Sequence, residues 1–360
     1  MTAVPATAVA PASRGRSFNL DAVRAAAITM VVLAHLAVMS PVRRPTALTL
    51  SWIGQFGVDL FFVLSGWLIG GLFWREHAAT GGVRWPRFFL RRALRTVPPY
   101  LAILPFAWLA VRWFAPDRGA FDPGYLVFLQ NYYAKMPYFS VSWSLCVEEH
   151  FYLCLPVLVL LALRTRLSVN LLFAGLVLVS PLCRTFLETT PTIDEFSGRV
   201  LATHLRLEGL VLGFWAAGLR HWAPTAWARV VGVLRWLVIP ALAFVALSPL
   251  VPARPFYAWG LTGLAVSFLV VVGLAAESQP WKLPAGDAVA RLAAMSYSIY
   301  LTHSLVIHVA RAASLRLGGW AEPAYWVLGP AAIGVAGYVF STAVEKTTLR
   351  LRDRLLPASG

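Results

Sequence analysis

Two residues in the first apolar run have types and a spacing that could do chemistry. The stretch Asp21–Met39 reads DAVRAAAITMVVLAHLAVM, with Arg24 near its start and His35 deep inside. At about 100° per residue their separation is roughly three helical turns, so both side chains share one face. The rise between them is about 16 Å, half of a hydrocarbon core about 30 Å thick. An ionisable side chain at that depth is expensive and reads as functional by default. One helix face would then offer a fixed cation near one membrane surface and a titratable base about halfway across. The plainer reading makes Arg24 a topology anchor that snorkels to the headgroups, and His35 a packed histidine bonded to a backbone carbonyl.

Three carboxylates occupy similar depths. Asp59 lies inside GQFGVDLFFVLSGWLIGGLFW, which runs from Gly54 to Trp74, and is most simply a partner for a buried cation or a histidine proton. Five glycines in that run give it a small-residue face for close helix approach. Ser65 in the same run is expected to bond its own backbone carbonyl. Glu148 and Glu149 open SWSLCVEEHFYLCLPVLVLL, from Ser142 to Leu161. Neighbours on a helix point about 100° apart, so at most one of them can face His35 squarely. Buried carboxylates need partners or shifted pKa values, and such groups cluster at functional sites. Farther on, SYSIYLTH places Tyr300 and His303 three positions apart, where they can share a face.

A one-sided cluster of arginines follows the second run: Arg75, Arg84, Arg87, Arg91, Arg92 and Arg95. Headgroup attraction and topology explain several of them. Arg92 and Arg95 lie on one helix face as it enters the membrane, and Pro98 and Pro99 are expected to bend or restart that helix. Guanidinium forks suit phosphate, so an anionic, phosphate-bearing cytoplasmic ligand is the sharper reading of this pair.

The elements that must position these residues are membrane helices. The chain has 360 residues, is 59% hydrophobic and 13% charged, and has a mean hydropathy of +0.68. Apolar runs of about 20 residues recur along its length, which marks an all-α, polytopic transmembrane bundle. Ten spans are expected, at about 21–39, 52–74, 96–114, 143–163, 169–183, 205–219, 231–248, 257–275, 292–310 and 324–344, the fifth and sixth being short. The net charge of +15 sits in short loops, which argues against nucleic-acid binding. With the N-terminus inside, the inner side receives 20 of the 31 basic residues and the outer side 11, so both termini are expected in the cytoplasm.

The remaining segments carry less. Residues 1–17, rich in Ala, Pro and Ser, read as a disordered tail, with residues 18–360 forming one transmembrane domain. No apolar core precedes Asp21, so the first span is expected to be an uncleaved signal anchor. Cys146, Cys154 and Cys183 fit neither a disulfide framework nor a metal site. The aromatic stretch 115–141 could stack on sugar rings, but a membrane-interface role is the stronger expectation. Arg184, Glu188, Asp194, Glu195, Arg199, His204, Arg206 and Glu208 read as a solvated outer loop, and Trp236–Ala275 as scaffold.

Five stretches, in order along nearly the whole chain, resemble the acyltransferase 3 family of bacterial integral-membrane O-acyltransferases. They are Arg24–x10–His35; GVDLFFVLSGWLI from Gly57 to Ile69; FFLRRALRTVPPY from Phe88 to Tyr100; WSLCVEEHFY from Trp143 to Tyr152; and SYSIYLTH from Ser296 to His303. The resemblance implies about ten helices, an acyl-coenzyme A donor from the cytoplasm, and as acceptor an extracytoplasmic carbohydrate hydroxyl. It implies functional roles for Arg24, His35, Arg92 and Arg95. Some relatives carry an additional soluble hydrolase-like domain, and none is expected within these 360 residues.

On this expectation Arg24, Arg92 and Arg95, with Tyr300 and His303, bind acyl-CoA, most simply acetyl-CoA, and no metal takes part. His35 takes the proton of the attacking hydroxyl, oriented by Glu148, Glu149 or Asp59 after the logic of hydrolase triads. Direct transfer and an acyl-histidine intermediate both remain open. The acceptor would be a surface polysaccharide or the sugar of a secondary metabolite such as a macrolide, and the location the bacterial cytoplasmic membrane. The competing class is a proton-coupled transporter or flippase, against which stand the absence of an internal repeat and the one-sided arginines.

Overall fold

The computed structural model describes residues 17–42, 45–114, 121–133, 136, 138–165, 167–186 and 200–357. All regular elements among them are helices: α1 (Phe18–Val38), α2 (Pro45–Thr80), α3 (Trp85–Phe114), α4 (Trp143–Thr165), α5 (Val169–Phe186), α6 (Glu208–Trp222), α7 (Pro224–Trp236), α8 (Val238–Leu247), α9 (Leu261–Glu277), α10 (Gly286–Leu315), α11 (Ala321–Phe340) and α12 (Lys346–Leu355). Short 3₁₀ turns connect several, and π-helical turns at Phe256–Gly260 and Ser341–Glu345 lead into α9 and α12. The chain is a multi-pass helical membrane protein. Residues 1–16 of the expected tail lie outside the described residues.

Eight helices among the described residues are long and apolar enough to cross a membrane, or nine if α7 and its continuation to Leu250, bent by 54°, count as one. The expected sixth span is α6, only 15 residues, about 22 Å of rise. It is short because it is not a lipid-facing span: Leu210, Val211, Phe214 and Ala216 are buried on it, and it packs along α2. Two glycine pairs with four-residue spacing make that contact. A β-carbon at Gly66 would collide with the Leu210 carbonyl, and one at Gly213 with the Val63 carbonyl. At Gly70 it would stand 2.8 Å from the Phe214 carbonyl. Without a hydrophobic driving force between helices in lipid, such backbone approach is what lets them gain dispersion contacts. Residue numbers rise together along the contact, so α6 runs parallel to α2.

The other end of α2 packs antiparallel on α1. A β-carbon at Gly54 would meet Ala34, and one at Gly57 would lie 2.6 Å from the Ala27 carbonyl. Helix α1 is tied down at both ends. The Asn19 amide donates to the carbonyls of Ala275, Ser278 and Gln279 at the end of α9, and its oxygen accepts from Trp281 N at 2.7 Å. The Tyr325 hydroxyl of α11 donates to the Leu36 carbonyl at 2.9 Å. Helix α10 covers another side of α1.

Three local expectations are corrected. Helix α3 continues through Pro98, Pro99 and Pro105 without a break. Ser65 leaves its own backbone alone and bonds outward to Tyr152 and Glu148. The 121–142 segment does not simply lie at the interface: Phe121 and Tyr132 are exposed, but Tyr125 and Tyr138 stack at 4.2 Å and Phe128 packs on Tyr100 at 4.6 Å, all buried. Their rings have each other and the α3 aromatic to pack on, which removes more apolar area from water than a headgroup layer would.

Candidate active site

His35 stands on the second half of α1 with its Nδ1 2.8 Å from the Val31 carbonyl. A carbonyl only accepts, so Nδ1 carries a hydrogen, and in the neutral ring Nε2 holds the lone pair. The ring meets His303 of α10 edge to face, centroids 4.8 Å apart. His303 is held in the same way, Nδ1 to the Tyr300 carbonyl at 2.7 Å, and its buried Nε2 has no hydrogen-bond partner among the described residues. The Tyr300 hydroxyl bonds Ser144 at 2.5 Å and the Val141 carbonyl at 2.6 Å, which joins α10 to the turn that opens α4. The orienting partner of His35 is therefore a backbone carbonyl, and the three carboxylates are engaged elsewhere.

A cavity of about 270 Å³ opens beside His35. Its wall includes Val38 of α1, Asp59 of α2, Trp143, Arg206 and Tyr257. Asp59 pairs with Arg206 at 2.7 Å, and the Arg206 guanidinium lies over the Trp143 ring at 5.1 Å. Behind this pair, Arg184 and Glu208 form a second at 2.7 Å with side chains almost wholly enclosed. Arg184 also donates to the carbonyls of Leu205 and Ala258 and to Thr262. It thus bolts together the turn before α6 and the π-helical turn before α9, two walls of the cavity. The solvated-loop reading fails for Arg184, Arg206 and Glu208, since in a dry bundle each charge has found a partner. Glu188, Asp194, Glu195 and Arg199 lie outside the described residues. The missed signal was position: Arg184 directly follows one apolar run, and Arg206 and Glu208 directly open another.

The arginine cluster lies in the opposite direction along α1. Arg92 of α3 donates to the Tyr152 hydroxyl at 2.5 Å, lies over that ring at 4.2 Å and stands 3.9 Å from Glu148. Tyr152 in turn donates to Glu148 at 2.5 Å, and Ser65 closes the group. Arg24 pairs with Asp21 one turn before it at 3.8 Å. Arg95, half-buried, has no hydrogen-bond or ion-pair partner among the described residues, although the charges of Arg24, Arg92 and Glu345 reach it. Glu149 is buried near Thr96 and Arg92. Glu345 is a carboxylate that the sequence reading did not single out. It is buried on the π-helical turn before α12 and accepts from Ser298 at 2.5 Å.

Two arginines of the charged connection serve the fold instead. Arg87 and Arg91 donate to the carbonyls of Pro357 and Leu356, and Arg91 lies 3.3 Å from Asp353, so they clasp α12 against α3. Tyr300 and His303 lie beside His35 rather than among the arginines. The arrangement thus has a cationic group at one end, a polarised imidazole with a bare nitrogen in the middle, and an aromatic cavity at the other end.

The acyltransferase 3 family, described as an acyltransferase domain, matches residues 18–345. Over 323 residues the chain is 26% identical to "Putative O-acetyltransferase SACOL0978" of Staphylococcus aureus (strain COL), covering 80% of this chain and 50% of that protein. It is 25% identical over 322 residues to "O-acetyltransferase OatA" of Staphylococcus aureus (strain NCTC 8325 / PS 47), with the same shares. The chain spans about half the length of the curated relatives it matches. No solved structure matches it.

Proposed function

The chain belongs to the acyltransferase 3 family, and from that premise we propose that it is a membrane-embedded O-acyltransferase. It moves an acyl group, acetyl by default, from acyl-CoA to a hydroxyl of a carbohydrate-type acceptor. The observation that carries this reading is His35: an imidazole with Nδ1 held by the Val31 carbonyl, between a cationic group and an aromatic cavity.

The donor's phosphates fit the cationic end. Arg95 is without a partner among the described residues, and Arg92 has a buried Nε with none, so both retain donors for an anion. Coenzyme A then reaches along α1 to bring its thioester carbonyl to His35, over the ~16 Å that eleven helical residues rise. In the cavity the acceptor hydroxyl attacks that carbonyl carbon. A carbon–oxygen bond forms, and the hydroxyl proton passes to His35 Nε2. The carbon–sulfur bond then breaks, and the departing thiolate takes the proton back from His35. The products are an O-acyl ester and free coenzyme A, and the imidazole returns to its starting state. Glu148 acts through Tyr152 to hold Arg92, and Asp59 acts through Arg206 at the cavity wall.

The donor comes from the cytoplasm, and both termini lie on that side. The 20-to-11 distribution of basic residues supports this, as does α6 running parallel to α2, which makes it a crossing element and the number of crossings even. The location is the bacterial cytoplasmic membrane. Purified protein supplied with acetyl-CoA and a sugar panel should release coenzyme A thiol only when acceptor is present. Absence of acceptor-dependent release with every sugar would refute the assignment.

A further inference from the structure

Among the described residues, every fixed charge that faces the cavity beside His35 is already balanced. Asp59 and Arg206 are 7% and 6% exposed and face each other at 2.7 Å. The charges directly behind them, Arg184 and Glu208, also pair. Among the described residues no other Lys, Arg, Asp or Glu lines the cavity. His35 enters it with Nδ1 already tied to the Val31 carbonyl. Among the described residues the rest of the wall is Trp143, Phe56, Phe256, Tyr257, Tyr300, Gly54 and aliphatic side chains. A carboxylate or phosphate brought here would lose its water with no uncommitted cation to meet it, and it would approach Asp59.

The same pair suits a neutral polyol. A carboxylate accepts and a guanidinium donates, so an Asp–Arg pair offers both halves of what a vicinal diol needs. The face of Trp143 and its aromatic neighbours gives the flat apolar surface on which a sugar ring lies. A volume of about 270 Å³ has room for one ring with its substituents.

Resting on the acceptor assignment above, we propose that this cavity selects a neutral sugar ring, without carboxylate, sulfate or phosphate, through the Asp59–Arg206 pair. Arg206 is then a specificity-determining residue. Its charge is screened by Asp59 so that it hydrogen-bonds hydroxyls and does not recruit anions.

Two glycosides that differ only at C6 test this. Octyl β-D-glucopyranoside carries a hydroxymethyl group where octyl β-D-glucopyranosiduronate carries a carboxylate. With the full chain in nanodiscs and both glycosides below their micelle concentrations, binding is read by calorimetry, and acetyl transfer with labelled acetyl-CoA. The neutral glycoside should bind, and be acetylated, at least about tenfold better, the scale of one charge-assisted contact. Equal or reversed preference overturns the proposal, as does failure of the neutral glycoside to bind at millimolar concentration. Asp59→Asn frees the guanidinium and should raise glucuronide affinity about tenfold. Adding Arg206→Gln should abolish that gain, and a gain that survives overturns the role given to Arg206. If Asp59→Asn does not insert, the wild-type comparison still decides. Neutral-selective binding without any transfer would defeat the acyltransferase reading and leave the selectivity standing. Transfer to both glycosides alike would do the opposite.

Discussion

His35 and His303 meet edge to face at 4.8 Å, each with Nδ1 tied to a carbonyl of its own helix. The two rings therefore present the same tautomer, with both Nε2 atoms as bases.

The first prediction concerns this pair. His35→Ala should lower turnover by about 10²- to 10⁴-fold, the range of a general base, with membrane abundance and donor binding near wild type. His303→Phe keeps the ring packing and removes the nitrogens. It should lower kcat by less than His35→Ala does and leave KM for acetyl-CoA unchanged. Wild-type turnover in His35→Ala would remove it from the mechanism.

Donor binding supplies the second. Arg92→Ala and Arg95→Ala should each raise the apparent KM for acetyl-CoA by roughly 10- to 100-fold, from the ~1.5–3 kcal/mol of a charge-assisted contact. Lysine should rescue Arg95 in part, because a point charge still meets phosphate. It should rescue Arg92 less, because the planar fork also covers the Tyr152 ring. Titration of the purified variants with a non-hydrolysable acyl-CoA checks this. Unchanged affinity in both alanine variants would return the arginines to topology alone.

A third prediction separates structural charges from chemical ones. Arg184→Met strands Glu208 in the bundle and should destabilise the protein by about 3–5 kcal/mol. The double change Arg184→Met/Glu208→Leu removes both charges and should recover a large part of that loss. Detergent thermal denaturation of the three proteins measures it. A double variant no better than the single one would mean that the carbonyl and threonine contacts of Arg184 dominate.

Topology gives the fourth. In a chain whose native cysteines are replaced, an impermeant thiol reagent added to intact cells should label Phe121→Cys and leave Gly82→Cys untouched. Phe121 is exposed, and Gly82 has open space around its α-carbon. The reverse pattern inverts the orientation.

Spans were legible because a bilayer imposes length and apolarity on each helix separately. Arg24 and His35 stood out as ionisable residues where the surrounding run is apolar, and Arg92 and Arg95 as a pair on one helix face entering the membrane. What periodicity cannot carry is which partner a buried charge finds, because that depends on helices far apart in sequence. Asp59 took Arg206 across 147 positions, and Glu148 took Tyr152 and Arg92. Arg184, Arg206 and Glu208 were read as loop because charges at the ends of apolar runs look the same whether they face water or each other. Pro98 and Pro99 were expected to bend or restart the helix, and the helix does not restart, because the rule for an isolated helix takes no account of its neighbours. Here α3 is held on both sides, with the Tyr297 hydroxyl bonding the Thr96 carbonyl at 2.7 Å.

The glycine pairs of α2 set a mechanical limit. A slip of one residue along α6 would shift α2 by about 1.5 Å and turn it by about 100°, bringing a side chain such as Ser65 or Trp67 against backbone where only hydrogen fits. Helix α2 therefore has one register and no neighbouring notch. It carries Asp59 at the cavity and Ser65 at the arginine cluster, about 9 Å apart along its axis. The two positions are thus spaced by a single rigid ruler, and sliding of that ruler cannot carry a signal from one to the other.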